Sequence, residues 1–359
     1  MKPAAIHQLS VSAAYGDAIG NEALQIRDAL RAAGHESEIF VEQADPRMDF
    51  EVRHYREYHE VTAPDNVVLL HYSMGSAVSK LAQEIDDRLV LIYHNITPAE
   101  WFAPYELEIA RSCAAGRLQL AALRQRTALA LGDSEYNRRE LEELGFEPTG
   151  VLPLLLDLDG LAEHADQMVL ELHQEDRTTW LFVGRIVPNK SIEDLIRSFT
   201  YYQRYVDHRA QLLIVGDHRS TPSYHHALQR LIGDLSSSGV HFMGHVSGAE
   251  LRAYYREADV FVCLSEHEGF CVPLFEAIHR DIPVIAFSAA AIPFSTAGGV
   301  LLLEDKDPAI VGETVASILT DEALRRRLLA RQQKLLAQFD LQRGLETLFA
   351  QLNGIGIEV

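Results

Sequence analysis

The sequence predicts an α/β protein made of two doubly wound parallel sheets. Short apolar runs alternate with helical patterns along the chain, as expected when parallel strands are buried on both faces. The chain has 359 residues, more than one hydrophobic core normally supports, so two domains are expected. No repeat of solenoid period interrupts the alternation.

In the first half, the strand pattern Ala5–Leu9 leads into the loop Gly16–Gly20, and the helix that follows ends at Gly34. Later apolar runs predict three further strands: Val67–His71, Leu89–Tyr93 and Ala128–Leu131.

The second half repeats this alternation. A helix with an apolar face begins at Ser191, and Asp194 follows at the spacing of a capping box. Six strands are predicted: Trp180–Val183, Leu212–Val215, His241–Met243, Val260–Leu264, Val284–Phe287 and Val300–Leu303. We therefore expect Rossmann-like domains at 1–155 and 156–335, with a helical segment at 336–359 that could pack back on the first domain.

Charge and composition exclude several classes of protein. The formal net charge is −20, which disfavours nucleic-acid binding and general adhesion to an anionic membrane. Four arginines between Arg111 and Arg126 leave local, peripheral membrane contact open. The start of the chain lacks the apolar core of a signal peptide, and no run of about 18 apolar residues predicts a transmembrane helix, so we expect a cytoplasmic protein.

The three cysteines are Cys113, Cys263 and Cys271. Their separations match neither a zinc-binding spacing nor a disulfide framework. The sequence therefore predicts no metal site built on cysteine.

The densest motif runs from Ser265 to Ala277, where a buried strand ends and a helix begins near Pro273. The backbone amides of Phe270, Cys271 and Val272 should point out of the helix N-terminus, at the carboxyl end of a parallel sheet. Such a site binds anions, and a diphosphate is the expected ligand.

Two carboxylates flank this predicted anion site. We expect Glu276 in the first helical turn, where it could accept hydrogen bonds from a ribose, and Glu268 in the preceding loop, beside a sugar ring. Gly269 would let the ligand approach the backbone closely. Taken singly, Glu276 could be a helix-start charge and Glu268 an ordinary loop residue.

Cations are predicted in the loop that follows the strand Trp180–Val183. Gly184, Arg185 and Lys190 lie there, at the strand end where such sheets bind ligands. Arg185 and Lys190 could neutralise a diphosphate. Because they supply this charge, we expect no metal ion, although Asp157 and Asp159 are the type of residue that binds one.

These motifs resemble a known family. Glu268 and Glu276 form a Glu-x7-Glu element, and Gly184-Arg185 with Lys190 forms a Gly-Arg-x4-Lys element. With Val215-Gly216-Asp217, they are similar to retaining family 4 glycosyltransferases of the GT-B fold, most strongly between Thr179 and Asp305.

The resemblance implies roles for individual residues. Arg185 and Lys190 would bind the donor diphosphate, Glu276 the ribose and Glu268 the donor sugar, while Val246 would border the nucleobase. In the first domain, the resemblance implies that Gly16 faces the donor phosphate, although the family's usual glycine pair is absent. It also implies that His94 contacts the donor sugar, and that Gly132-Asp133-Ser134 lines the cleft between two facing domains.

The expected activity is transfer of a hexose, with retention, from GDP-mannose or a UDP-hexose to a saccharide or lipid-linked acceptor. The resemblance also implies that the first domain binds the acceptor, that no cofactor or metal is needed, and that the product belongs to cell-surface polysaccharide biosynthesis. A sugar-nucleotide epimerase of the same fold and a non-catalytic nucleotide-sugar-binding module remain alternatives. A dinucleotide-dependent oxidoreductase is disfavoured because no Gly-x-Gly-x-x-Gly follows the first strand of either half.

Overall fold

The structure is a computed structural model that describes residues 5–14, 16–48, 50–156, 165–172 and 177–359. The chain divides into two compact units. The first comprises Met1–Glu100, Glu108–Leu156 and Phe339–Val359, and the second comprises Trp101–Leu107 and Asp157–Gln338. Each unit contains one parallel sheet, so the predicted α/β class with two doubly wound sheets is confirmed.

The first unit is built on a seven-stranded sheet whose strands follow the order β3-β2-β1-β4-β5-β6-β7. Its strands are β1 (Ile6–Ala13), β2 (Ile39–Ala44), β3 (Arg53–His54), β4 (Val67–Tyr72), β5 (Arg88–Tyr93), β6 (Thr127–Gly132) and β7 (Thr149–Val151). Its helices are α1 (Ala18–Ala32), α2 (Ala77–Glu84), α3 (Ala99–Phe102, which continues into the second unit), α4 (Leu107–Leu123), α5 (Glu135–Glu143) and, at the end of the chain, α14 (Leu341–Gly354).

The strand predictions succeed because the central strands are buried on both faces. All six residues of β4 are buried, so the strand appears in the sequence as an uninterrupted apolar run. Helix α1 covers the sheet with Ala23, Ile26 and Leu30, which follow one helical face. The strand β2 was not predicted, because only its first three residues are buried and apolar, and the run is too short to stand out in the sequence.

Helix α14 completes the core of the first unit although it lies at the other end of the sequence. Leu348 and Leu352 are fully buried and pack in one cluster with Ile6, Ile26 and Leu69. An added Cβ at Gly344 would lie 2.2 Å from the side chain of Leu155, so the helix approaches the preceding core closely.

The second unit is built on a six-stranded sheet of order β10-β9-β8-β11-β12-β13. Its strands are β8 (Thr179–Val183), β9 (Gln211–Val215), β10 (Val240–Gly244), β11 (Val260–Cys263), β12 (Val284–Phe287) and β13 (Leu301–Leu303). Its helices are α6 (Gln167–Leu172), α7 (Ile192–Tyr205), α8 (Pro222–Leu235), α9 (Gly248–Glu257), α10 (Val272–His279), α11 (Ile292–Thr296), α12 (Pro308–Thr320) and α13 (Glu322–Leu336).

The predicted capping box at the start of α7 is wrong. Ser191 adopts a left-handed backbone conformation with φ of 48° and makes no side-chain capping bond. Asp194 instead accepts a hydrogen bond from Lys306 Nζ at 3.0 Å. The spacing in the sequence suits a capping box, but the Asp194 carboxylate instead pairs with Lys306, which is distant in the chain.

Each sheet has one internal position at which the order of its strands along the chain reverses. In the first sheet the strand order reverses between β1 and β4, and in the second between β8 and β11. Loops leaving neighbouring strands diverge at such a position and open a crevice at the carboxyl ends of the strands, which is where doubly wound sheets bind ligands.

We predict that Leu348→Ala lowers the free energy of unfolding of the first unit by about 2–5 kcal/mol, because it leaves a cavity in that core. Urea denaturation, followed by circular dichroism, measures the change. The matched control is Glu346→Ala, two positions earlier on the exposed face of α14. Equal unfolding midpoints for the two variants would contradict a core role for α14.

Candidate functional site

Two motif-bearing loops meet at the carboxyl edge of the second sheet. The loop 184–191 follows β8 and the loop 264–271 follows β11, and these strands are neighbours in the sheet. The strand order therefore brings together the Gly-Arg-x4-Lys and Glu-x7-Glu elements, which the sequence places about 80 positions apart.

Lys190 and Glu268 form the central contact of this edge. Lys190 Nζ donates to both carboxylate oxygens of Glu268, each at 2.6 Å. The Glu268 side chain is 8% exposed and that of Lys190 17%. Burial lowers the pKa of Lys190, but the charge of Glu268 outweighs burial and the net pKa is raised. Lys190 therefore stays protonated, and its third N–H remains to serve a ligand.

Asn189 ties the two loops together beside this ion pair. Its side-chain amide donates to the backbone carbonyl of His267 at 2.9 Å, and its backbone carbonyl accepts from the Glu266 backbone amide at 2.9 Å. Lys306 adds a further link, because it forms salt bridges with both Asp194 and Glu266. Sequence reasoning assigned no role to Asn189 or Lys306, whose partners are distant in the chain.

Helix α10 begins immediately after the Glu268 loop. Its N-cap residue, Cys271, has a left-handed backbone with φ of 76° and provides no side-chain cap. Phe270 is buried and stacks on Phe275 at a centroid distance of 4.9 Å. The helix N-terminus thus has a fixed position and no acidic cap, which favours an anionic ligand there.

Glu276 is the fifth residue of α10, so it lies one position beyond the first turn in which the sequence placed it. Its Oε2 accepts a hydrogen bond from the Tyr255 hydroxyl at 2.6 Å. Burial raises the pKa of Glu276, and the Tyr255 bond opposes that shift. Tyr255, which sequence reasoning missed, orients the carboxylate and leaves Oε1 for another donor.

Arg185 differs from Lys190 in its surroundings. Its side chain is exposed and makes no salt bridge within the described part of the chain. Gly216, just after the neighbouring strand β9, lets the backbone at Gly184 approach closely, because a Cβ on Gly216 would lie 1.9 Å from the Gly184 carbonyl oxygen. Val246 lies half-buried in the loop after β10, two strands away from β8.

Gly16 lies between β1 and α1 with φ of 77° and open space where a side chain would be. The next residue, Asp17, caps α1 by accepting from the Gly20 amide at 3.3 Å. A carboxylate therefore already occupies this helix N-terminus and opposes a second anion. The contact of Gly16 with a donor phosphate stays a prediction.

His94 belongs to a cluster that we call the buried histidine cluster: Glu22, His71, His94 and Asp133. His94 Nδ1 lies 3.0 Å from Asp133 Oδ2, and its Nε2 lies 3.0 Å from His71 Nδ1. Glu22 Oε2 lies 3.7 Å from the His71 ring and 3.8 Å from the His94 ring. Sequence reasoning named His94 and Asp133 separately but did not predict their contact.

The hydrogen-bond partners fix the protons of the cluster. The Gln8 amide donates to the Ala23 carbonyl, so its oxygen must accept from His71 Nε2, at 2.9 Å. Neutral His71 then accepts at Nδ1, and His94 donates to it through Nε2. Since His94 Nδ1 faces the Asp133 carboxylate, His94 carries both ring protons.

The pKa shifts agree with this proton assignment. Burial lowers the pKa of His94, but Asp133 and Glu22 outweigh burial and raise it to about 9. Burial also raises the pKa of Glu22, to about 8, and the charge of His94 opposes that shift. Both ring nitrogens of His94 are engaged, so its contact with a donor sugar stays a prediction that requires one of these bonds to be exchanged.

Two predicted features remain outside this geometry. Asp157 and Asp159 lie outside the described residues. The predicted basic stretch is partly engaged in internal contacts, because Arg117 on α4 pairs with Glu140 and Arg126, after α4, donates to the Ile85 carbonyl. In the described part of the chain, no helix combines the length and apolarity required to cross a membrane.

Part of the chain matches the model of a known family. Residues 166–335 match the model of the family described as "Glycosyl transferases group 1". The match covers most of the second unit and confirms the resemblance to family 4 glycosyltransferases.

Two curated relatives match similar shares of the chain. A D-inositol 3-phosphate glycosyltransferase of Corynebacterium efficiens is 29% identical over 151 residues, which are 41% of this chain and 36% of that protein. A GDP-mannose-dependent alpha-mannosyltransferase of Mycolicibacterium smegmatis is 32% identical over 160 residues, 42% of this chain and 38% of that protein. The match thus spans little more than a third of either relative.

The likeness to solved structures extends over the whole chain. Sucrose-phosphate synthase from Thermosynechococcus elongatus superposes with a TM-score of 0.75 at 18% identity, and covers 97% of this chain and 99% of that one. The chain therefore has the GT-B fold, as the motifs indicated.

We predict that the stability of the first unit falls as pH rises towards 9. The pKa of His94 is raised in the folded state, so its contribution is complete below its unfolded value near 6.5 and is lost as pH rises through about 9. The urea midpoint of the wild-type protein, measured from pH 6.5 to 9.5, should fall more steeply than that of His94→Gln. Glu22 adds to the fall in both proteins. Its pKa is about 8 in the folded state and about 4.5 in the unfolded state, so the free energy of unfolding decreases as pH rises between these values.

The matched control is His59→Gln, which alters an exposed histidine of the same unit. This variant should follow the wild-type pH dependence. Parallel curves for the wild type and His94→Gln would contradict the assignment of a buried, charged His94.

Proposed function

We propose that this protein is a glycosyltransferase that moves a hexose from a nucleotide diphosphate sugar to a saccharide or lipid-linked acceptor. The observation that carries the proposal is the Lys190–Glu268 pair beside the N-terminus of α10. It lies at the reversal of strand order in a unit that matches the model of the group 1 family.

The pair can serve a phosphate and a sugar together. A lone carboxylate would repel a diphosphate, but Lys190 already neutralises Glu268 and keeps one N–H for a phosphate oxygen. Glu268 can then accept a hydrogen bond from a sugar hydroxyl next to that phosphate. Glu276, held by Tyr255, is available for the ribose hydroxyls.

The proposed chemistry is transfer with retention of anomeric configuration. Negative charge grows on the leaving diphosphate, and Arg185, Lys190 and the helix N-terminus stabilise it, each by about 2–4 kcal/mol in the transition state. The departing phosphate can take the proton of the acceptor, so no further base is required. These cations replace a metal ion, and we propose that transfer needs none.

For the donor we propose GDP-mannose or a UDP-hexose. The name of the mycobacterial relative, a GDP-mannose-dependent alpha-mannosyltransferase, supports testing GDP-mannose first. We propose that the first unit binds the acceptor and that the protein acts in the cytoplasm in polysaccharide biosynthesis. Arg111 and Arg124, which are exposed on and just after α4, are available for peripheral contact with a membrane that holds a lipid-linked acceptor.

We predict that Arg185→Ala lowers turnover of the preferred donor about 10²–10³-fold. Arg185 is the better test than Lys190, because removing Lys190 would strand the buried charge of Glu268 and destabilise the fold. The measurement is release of nucleotide diphosphate from a panel of GDP- and UDP-sugars, with EDTA present throughout.

The matched control is Arg209→Ala, an exposed arginine just before β9 at the opposite, amino-terminal edge of the same sheet. It should turn over donor like the wild type. Unchanged turnover in Arg185→Ala would contradict the phosphate role. Donor binding without turnover by any acceptor would favour the binding module, and isomerisation of the donor sugar without an acceptor would favour the epimerase.

A further inference from the structure

Two cysteines that the sequence separates meet inside the candidate donor site. Cys263 is the last residue of β11, and Cys271 is the N-cap residue of α10. Both are buried, with exposures of 1% and 8%, and their sulfur atoms lie 4.0 Å apart. A carboxylate oxygen of Glu268 and the two sulfurs all lie within 4.8 Å of one another.

The sulfur–sulfur distance distinguishes a metal site from a disulfide bond. Zinc–sulfur bonds of about 2.3 Å at a tetrahedral angle place two cysteine sulfurs about 3.8 Å apart. A disulfide bond requires a separation of about 2.0 Å. The observed 4.0 Å is that of a thiol hydrogen bond; it is close to the separation of two ligands of one metal ion and about twice the length of a disulfide bond.

The charges of the site also suit a divalent cation. Two thiolates and the Glu268 carboxylate carry three negative charges, and Zn²⁺ with Lys190 carries three positive charges. The sum is zero, which is the condition for burying charges at low cost. Thiolate ligands select soft cations such as Zn²⁺ over Mg²⁺ and Ca²⁺.

Three side chains of the buried histidine cluster, Glu22, His71 and His94, also have the spacing of metal ligands. Their ring nitrogens, however, are already engaged in hydrogen bonds. There the short contact between His71 Nδ1 and His94 Nε2 is already occupied by a hydrogen-bonding proton, and the outer ring nitrogens are tied to Gln8 and Asp133. Between the cysteine sulfurs the 4.0 Å contact is a weak thiol hydrogen bond, whose proton is released when a metal ion binds the thiolates.

We propose that Cys263, Cys271 and Glu268 form a binding site for Zn²⁺ or a similar soft divalent cation, and that occupation of this site inhibits donor binding. The metal would take a carboxylate oxygen that Lys190 now holds and would lie at the start of α10. The inhibition rests on the proposed function, because it assumes that the donor diphosphate binds at the same helix N-terminus. The binding of the metal does not.

The experiment uses Co²⁺ as a spectroscopic probe of the full-length protein, reduced and freed of metal with EDTA that is then removed. One equivalent of Co²⁺ should give thiolate-to-metal charge-transfer absorption in the near ultraviolet, and Zn²⁺ should abolish it. Cys263→Ser should lower the metal affinity by about 100-fold or more. Cys113→Ser, which alters the third buried cysteine, in the first unit, should bind as the wild type does.

The second measurement is the dissociation constant of the donor. Zinc at ten times its own dissociation constant should weaken donor binding to the wild type about tenfold, and should leave Cys263→Ser unaffected. Circular dichroism checks that this variant is folded. EDTA should restore donor binding.

The outcomes are distinguishable. Absence of the charge-transfer band in the wild type, or its persistence in folded Cys263→Ser, would overturn the metal site. Cobalt binding with unchanged donor affinity would overturn the inhibition. Failure of every donor to bind in EDTA would contradict the proposed function and leave the cobalt result standing. An intramolecular disulfide, detected by mass as the loss of two hydrogens under reducing conditions, would also overturn the metal site.

Discussion

The ion pair between Lys190 and Glu268 is the constraint on which the candidate site depends. Two buried charges are costly to bring out of water and are tolerated only when they satisfy each other. Here the pair joins two loops that leave neighbouring strands, and Asn189 adds one side-chain and one backbone hydrogen bond between the same loops. The loops are thereby fixed before a ligand arrives, and Arg185 remains as the exposed cation that can still move towards it.

The same principle operates in the first unit with different residues. His94 and Asp133 satisfy each other, while His71 and Gln8 fix the ring protons. Both sites lie where strands of a doubly wound sheet end, so the fold positions polar groups at equivalent edges of two sheets. The difference lies in access: Lys190 keeps a hydrogen-bond donor for a ligand, whereas both ring nitrogens of His94 are in use.

Much of the fold could be predicted because buried parallel strands are apolar along their whole length, as β4 illustrates. Site prediction located the Glu268 loop correctly between a buried strand and a helix, because that motif is local in the sequence. It failed where the partner is remote: no sequence period indicates that Lys190 contacts Glu268, 78 positions away, or that Cys263 faces Cys271 across a loop. Strand order decides such contacts, and hydrophobic periodicity does not encode it. Likewise, Asp194 was expected to form a capping box with Ser191, but it contacts Lys306 instead.

The most direct test of the central claim is a crystal structure of the protein with GDP or UDP bound, grown in EDTA. The account predicts the diphosphate at the N-terminus of α10, with one phosphate oxygen within hydrogen-bond distance of Lys190 and the Lys190–Glu268 pair still intact. The ribose should lie next to Glu276. A nucleotide bound elsewhere, or a diphosphate that has no contact with either Lys190 or Arg185, would contradict the account.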